Sequence, residues 1–434
     1  MNADGSSRGD GSRAAGVGRS ARPRLDGDER SREEPAAWWR TAVVYQIYPR
    51  SFRDTDGDGV GDLEGVRRGL DHLKWLGVDA VWLSPIYPSP MADFGYDVSN
   101  YGDIDPVFGD LEQFDRLLFE MHSDGIRLLL DWVPNHTSDR HPWFVESRES
   151  RDSARRDWYF WRDGKDGGPP NNWRAAFGGE AWTFDETTGQ WYLHLFLPQQ
   201  PDLRWANPEV VKAMHDVLRF WLDRGVDGFR ADVVHLIGKD DALPDQPDAL
   251  AERDLVGFHD DPRTHDLLRS IREVLDSYAG DRAMIGEVNL RTVEQVAPYY
   301  GNRDELNLAF NFSLLWAKWD AARWAELITA AEAALGPRDA WPVWVLSNHD
   351  RPRHRTRYGG SEARARVSAT VLLTLRGTPF LFAGEELGME DAEISEEQRV
   401  DPGFRDGCRA PIPWSVDVEY GWAGTLWLLF ASQP

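Results

Sequence analysis

A single cysteine, Cys408, stands among 434 residues, so no disulfide can form within the chain and cysteine-rich metal modules are excluded. Long apolar runs are also missing. The longest late stretch, Trp422 to Ala431, falls well short of the ~20 residues that a membrane-spanning helix needs. Positive charge is scarce: 49 basic side chains face 73 acidic ones, a formal net charge of -24. That balance excludes the broad basic face of a nucleic-acid binder and disfavours strongly anionic substrates, while neutral ligands fit it. Residues 1–34 are rich in Gly, Ser, Arg and Asp and lack the apolar core of a signal peptide. A disordered tail over 1–36 and a cytoplasmic location are the expectations.

What the chain does hold is core-forming material. Hydrophobic residues make up 41%, and tryptophan alone occurs 21 times, enough for a large buried interior. The organisation is a repeat of strand and helix. Apolar runs at 42–48, 78–83, 126–133, 228–233, 282–287, 343–347 and 379–383 read as strands. Helical spacing marks 63–76, 111–123, 208–222, 265–278, 322–335 and 362–375. Near-continuous apolar strands between helices imply parallel strands covered by helices. Seven strands are clear, and an eighth around 305–310 would close a (β/α)8 barrel of the TIM type, in the α/β class. The interval from about 136 to 206 is too long for a loop and predicts a small inserted domain, with the barrel running over 37–135 and 207–434. After the last strand the expected final helix is missing.

Carboxylates mark the strand ends: Asp131, Asp232, Glu287 and Asp350. In a closed barrel such ends converge on one mouth, so residues distant in sequence meet there. Further polar groups lie beside them, namely Asn135 and His136, Arg230 and His235, Asn348 and His349. With no phosphate-binding glycine loop, this set points to a neutral, polyhydroxylated substrate. A divalent-metal hydrolase is the alternative, although the histidines lack common zinc spacings.

The pattern resembles the α-amylase superfamily of glycoside hydrolases (family 13), in its α-glucosidase and oligo-1,6-glucosidase branch. The resemblance runs from about Val44 to Trp414. It is carried by Asp131-Trp132-Val133-Pro134-Asn135-His136, Gly228-Phe229-Arg230-Ala231-Asp232-Val233-Val234-His235, Ile285-Gly286-Glu287 and Ser347-Asn348-His349-Asp350. It implies that Asp232 is the nucleophile, Glu287 the general acid/base, and Asp350 a third catalytic carboxylate that binds the sugar and stabilises the transition state. Arg230 would keep Asp232 charged, and His136 and His349 would hold sugar hydroxyls. Asp93-Phe94-Gly95-Tyr96-Asp97 is similar to the glucosidase branch, with Asp93 gripping the terminal sugar and Tyr96 stacking on it. Arg409, in Arg405-Asp406-Gly407-Cys408-Arg409, is the expected partner of Asp93 in closing the pocket. In relatives a valine at the position of Val233 looks α-1,6-favouring; both linkages stay open. The branch also implies a C-terminal β-domain, which is expected to be missing here.

Asp54-Thr55-Asp56-Gly57-Asp58-Gly59-Val60-Gly61-Asp62 resembles a structural calcium loop, with Asp54, Asp56, Asp58, the Val60 carbonyl and Asp62 as ligands. No organic cofactor is implied. The lead reading is a retaining exo-α-glucosidase acting on short malto- or isomalto-oligosaccharides, as a monomer or homodimer without nucleic-acid or membrane partners. A sucrose- or trehalose-directed glucosidase or transglucosylase, and a non-catalytic barrel scaffold, are the alternatives.

Overall fold

The computed structural model describes residues 37–247, 260–417 and 419–431; the expected tail at 1–36 lies outside the described residues. Eleven strands follow in order: β1 (Val44–Ile47), β2 (Ala80–Leu83), β3 (Arg127–Trp132), β4 (Trp161–Arg162), β5 (Trp182–Asp185), β6 (Gln190–Leu193), β7 (Gly228–Ala231), β8 (Ala283–Gly286), β9 (Leu308–Asn311), β10 (Val343–Val345) and β11 (Thr378–Phe382). Eight of them close a parallel barrel in the order β1-β2-β3-β7-β8-β9-β10-β11, with β11 pairing back onto β1. The eighth strand is β9, which starts three residues later and ends one residue later than the 305–310 that its sequence suggests. The short β4, β5 and β6 form a separate antiparallel sheet between β3 and β7, in the order β4-β6-β5.

Alternation along each strand decides which side chain faces where. Val44, Ala80, Trp82, Leu129, Ala283, Ile285, Leu308, Phe310, Val343, Val345 and Phe380 pack in one cluster, the filled barrel interior, with Trp38 joining them. Their neighbours, among them Tyr45, Val81, Leu128, Phe229, Met284 and Trp344, belong to the larger cluster shared with the helices. Gly228 is required where β7 meets β8, because a Cβ there would lie 2.1 Å from the carbonyl oxygen of Ala283.

The covering helices are α1 (Leu63–Arg68), α2 (Leu70–Leu76), α3 (Leu111–Ser123), α4 (Pro142–Glu149), α5 (Pro208–Asp223), α6 (Arg263–Asp276), α7 (Val293–Val296), α8 (Ser313–Trp316), α9 (Ala321–Leu335), α10 (His354–Arg357) and α11 (Glu362–Thr374). α3 shows the logic. Asp110 and Gln113 form a capping box at its start, and Phe114, Leu117, Leu118 and Met121 make the buried stripe. The single helix expected over 63–76 is two, broken at Gly69, whose N–H reaches both Gly65 and Val66 carbonyls. Among the described residues no α-helix follows β11; only short 3-10 turns at Glu396–Gln398 and Asp406–Arg409 do. Trp75 on α2 is 79% exposed and Leu373 on α11 is 51% exposed. These helices flank the β11–β1 seam.

Candidate active site

The register of the barrel builds the centre of the site. β3 and β7 pair so that Asp131 lies beside Arg230, and both side chains point into the barrel above Trp82. Arg230 donates through Nη1 to Asp131 at 2.8 Å and to Asp232 at 2.7 Å, and through Nη2 to Glu287. One guanidinium therefore bridges the two carboxylates expected to do chemistry, which come from the ends of adjacent strands. Just past Asp232 the backbone turns left-handed at Val233, with φ 35°, an uncommon conformation for a β-branched residue. That turn aims the Val233 N–H at Glu287, 3.2 Å away. The strained residue thus serves to hold the acid/base candidate.

A second cationic centre sits opposite. Arg405 donates to Asp93 at 2.5 Å, to Asp350 at 3.1 Å and to Asp401 at 2.7 Å. Arg409 donates to Asp350 at 3.2 Å, to Asp401 at 3.1 Å and to the His349 carbonyl at 2.8 Å. The expected Arg409–Asp93 pair is therefore corrected: Arg405 is the partner of Asp93. The Asp406–Arg409 3-10 turn separates the two arginines, and Arg409 is buried behind Asp350, over the ring of Tyr48. Both arginines occur in one sequence motif, and nothing in the spacing distinguishes which reaches forward.

Around three arginines stand six carboxylates: Asp131, Asp232, Glu287, Asp93, Asp350 and Asp401. Burial pushes the Asp131 carboxyl up to about 6 against the pull of Arg230. Burial also raises Asp232 well above the usual carboxylate range, with Arg230 opposing and Glu287 and Asp131 adding to the rise. For Asp350 burial works the same way, but the Arg405 and Arg409 guanidiniums outweigh it and hold the group below the ordinary value. The two halves of the site thus differ. The Arg230 cluster, three carboxylates to one cation, favours keeping a proton; Asp350 stays ionised.

The cavity in front of these groups has a volume of about 930 Å³, and Asp93, Tyr96, His136, Asp232, Glu287 and Asp350 all line it. Arg230, His349 and Arg409 do not; they stand behind the wall and act through the groups they touch. His349 shows how. Gln46 Nε2 donates to its Nδ1 at 2.7 Å, which leaves Nε2–H to meet Tyr96 Oη at 2.6 Å and Asp350 at 3.3 Å. Tyr96 in turn donates to Asp131 at 3.0 Å, and its ring stacks on that of His349. Burial lowers His349 to about 3, so the ring is neutral at working pH and this contact to Asp350 is a hydrogen bond, not an ion pair. His136, lowered by burial to about 4, contacts Gln200 Nε2 at 3.1 Å. Gln200 also donates to Asp93 at 3.0 Å. Gln200, Asp401 and Arg405 join this network from loops, which strand-end reasoning passes over.

The inserted sheet is tied to the barrel through Asp202. Its carboxylate accepts from Leu195 N and Asn135 Nδ2 and pairs at 3.0 Å with Lys239, which also donates to Asn135 Oδ1 at 2.7 Å. Asp202 is a brace. Arg204 pairs with Asp241 at 2.7 and 2.8 Å.

The acidic loop at 54–62 divides. Asp54, Asp56 and Asp58 gather carboxylate oxygens within 4.8 Å of one another, a set that could hold a divalent ion. Asp54 is buried and the other two are exposed. Asp62 does not join them: its carboxylate caps α1 through Gly65 N and accepts from Thr55 N and Oγ1. Val60 turns its N–H to Asp58, 2.7 Å away.

The closed (β/α)8 barrel, with two carboxylates bridged by one arginine at its mouth, is matched by glycoside hydrolases. The chain belongs to the alpha-amylase family: the description "Alpha amylase, catalytic domain" matches residues 46–433. A probable alpha-glucosidase of Rhizobium meliloti is 44% identical over 90% of this chain and 76% of its own length. An oligo-1,6-glucosidase of Parageobacillus thermoglucosidasius is 42% identical over 90% of this chain and 78% of its own length. Among solved structures, the trehalulose synthase MutB of Pseudomonas mesoacidophila superposes with a TM-score of 0.87 at 38% identity, over 92% of this chain and 79% of that one. The alpha-glucosyl transfer enzyme XgtA gives 0.87 at 42% identity, over 91% and 79%. No helix among the described residues is long and apolar enough to cross a membrane.

Proposed function

We propose that the chain is a retaining, exo-acting α-glucosyl enzyme. It removes the terminal glucosyl unit of a short donor and passes it to a sugar hydroxyl or to water. The observation that carries this reading is the bridging of Asp232 and Glu287 by Arg230 at a cavity that the paired Arg405 and Asp93 also line. Carboxyl groups separated by about 5–5.5 Å are the arrangement of double displacement. Asp232 attacks the anomeric carbon while Glu287 gives its proton to the glycosidic oxygen. The surplus of carboxylate over guanidinium around Arg230 favours retaining that proton in the cluster. Asp350, held ionised, opposes the positive charge that develops on the ring. Glu287, now a base, activates the incoming hydroxyl, and the glucosyl ester of Asp232 is released with the original configuration.

Closure by Asp93 and Arg405 supports cleavage of terminal units, because a chain running past the first glucose meets an ion pair. Transfer to sugars ranks ahead of plain hydrolysis, since MutB and XgtA, which superpose over nine-tenths of the chain, carry synthase and transfer in their names. The test is to supply maltose, isomaltose, sucrose and trehalose separately and follow products by NMR. α-Glucose should be released first, and transfer products should overtake glucose as the sugar concentration rises. β-Glucose as the first anomer would reject the mechanism, and products from the interior of maltoheptaose would reject exo action.

Calcium at Asp54, Asp56 and Asp58 fits the hard oxygen donors present. Partial desolvation raises the Asp58 carboxyl even though the side chain is largely exposed, with Asp56 and Asp54 adding to the rise, and a divalent ion would relieve that repulsion. The role is structural, remote from the chemistry. A chelator is expected to lower Tm by about 3–5 °C with little change in kcat. Asp58→Asn keeps an acceptor for Val60 N and should erase the chelator shift. An equal shift in both proteins, or none in either, speaks against the site.

A further inference from the structure

We infer that Phe94 is a positioning residue for the carboxylate of Asp93, clamped from behind the sugar cavity by Arg50 and Trp427. The inference rests on the exo-glucosyl reading above, in which Asp93 meets the terminal sugar, and deepens it. Phe94 follows Asp93 in the turn after β2 with φ 49°, in the left-handed region that an aromatic residue seldom occupies. Met91 at φ 65° and Gly95 at φ 110° share that geometry, so three of the five residues over 91–95 have positive φ. Such a turn persists only where its surroundings fix it. On one side the carboxylate of Asp97 does so, accepting from Asp93 N and from Ala92 N, both at 2.9 Å.

On the other side the Phe94 ring does so. Asp93 and Tyr96 line the cavity, but Phe94 does not. Its ring centroid lies 5.4 Å from the Arg50 guanidinium and 5.6 Å from the Trp427 ring, and the same guanidinium sits 5.1 Å from the Trp427 ring. One cation is thus shared by two aromatic rings. Arg50 Nε and Nη1 are buried without a hydrogen-bond partner among the described residues, so the ring faces are what hold this guanidinium. The clamp is anchored away from the cavity. The Arg50 carbonyl accepts from Gly61 N at 2.8 Å, and Trp427 N donates to the Gly59 carbonyl at 3.3 Å. Inside the cavity the only side chains that hold the Asp93 carboxylate are Arg405 and Gln200. A sugar hydroxyl draws on the same two oxygens. The backbone must then keep the carboxylate in place, and Phe94 is the anchor of that backbone.

The test measures Tm, affinity for 1-deoxynojirimycin, which presents the hydroxyls of a terminal glucosyl unit, and kcat/KM on p-nitrophenyl α-glucoside. Phe94→Gly removes the ring but accepts the left-handed backbone freely, so Tm should hold. Affinity and kcat/KM should nevertheless fall about ten- to a hundredfold, the cost of a misplaced binding group. Phe94→Tyr, which keeps the ring, should restore both to within about threefold, and Trp427→Leu should lose part of what Phe94→Gly loses. The deciding measurement is a double-mutant cycle. In an Asp93→Ala background Phe94→Gly should change kcat/KM by less than about threefold, because the group it positions is gone. An equal loss in both backgrounds would mean that Phe94 supports the fold at large, and overturns the inference. So does an affinity unmoved in both Phe94→Gly and Trp427→Leu. A wild type that binds the inhibitor yet turns over no glucoside rejects the glucosyl reading alone, since affinity still reports on Phe94.

Discussion

Asp232→Asn is expected to lower kcat on maltose and isomaltose by about 10^4-fold or more, with the fold intact. The substitution keeps the shape and keeps an oxygen for Arg230 Nη1, 2.7 Å away in the native protein. What it removes is the negative charge that must form the ester with the anomeric carbon. Stability should move the other way. The folded-state carboxyl of Asp232 is raised by burial, with Arg230 opposing, so ionising it at neutral pH costs folding free energy. For a raised carboxyl the favourable contribution is present at low pH and lost as pH rises through the folded-state value. The asparagine variant should therefore melt above the wild type at pH 7, and the gap should close as pH falls into the ordinary carboxylate range. The same raised group sets the acid limb of the wild-type kcat/KM profile, which should lie above the usual carboxylate value. Asp232→Ala with azide and α-glucosyl fluoride should recover turnover and give the β-azide, because the small anion enters from the face that the carboxylate vacated. Activity of the asparagine or alanine variant within a hundredfold of the wild type would remove Asp232 from its proposed role.

The barrel was legible because its signal is repeated: each strand is an apolar run, and each main helix shows a buried stripe such as Phe114, Leu117, Leu118 and Met121. Strand ends were legible for the same reason, and Asp131, Asp232 and Glu287 sit where the register leads them. Asp350, which strand-end reasoning also picks out, lies five residues past β10, on a loop, because the strand stops at Val345, short of the 343–347 run. What sequence reasoning could not separate was Arg405 from Arg409. The two differ by four residues on a 3-10 turn, and only the packing of Arg409 against Tyr48 and Asp401 leaves Arg405 free to reach Asp93. Asp62 was misread for a similar reason. Its place in an alternating acidic run suggests a ligand, but it is also the residue before α1, and the unsatisfied N–H groups of that helix claim its carboxylate. The break at Gly69 escapes a hydrophobic-stripe reading because both halves keep their apolar face on the same side.

Glu287→Gln separates the two halves of the reaction. The amide still accepts from Arg230 and from Val233 N, the two donors that hold the native side chain, so its position should be preserved. It can neither give nor take the proton. With isomaltose, whose leaving group is a sugar alkoxide, the first step needs that proton, and kcat/KM should fall by about 10^2–10^4-fold. With p-nitrophenyl α-glucoside the leaving group departs unaided, so the ester on Asp232 should still form. The second step then stalls, since no base activates the incoming hydroxyl. Rapid mixing should show a burst of about one equivalent of nitrophenol followed by a slow steady rate, and mass spectrometry should find a glucosyl adduct on the peptide bearing Asp232. Azide, which needs no deprotonation, should discharge that adduct as the α-azide, the anomer opposite to the one that azide gives with Asp232→Ala. The opposed configurations follow from one displacement in the alanine variant and two in the glutamine variant. Equal losses on isomaltose and the aryl glucoside, with no burst, would mean that Glu287 holds the sugar rather than moving a proton.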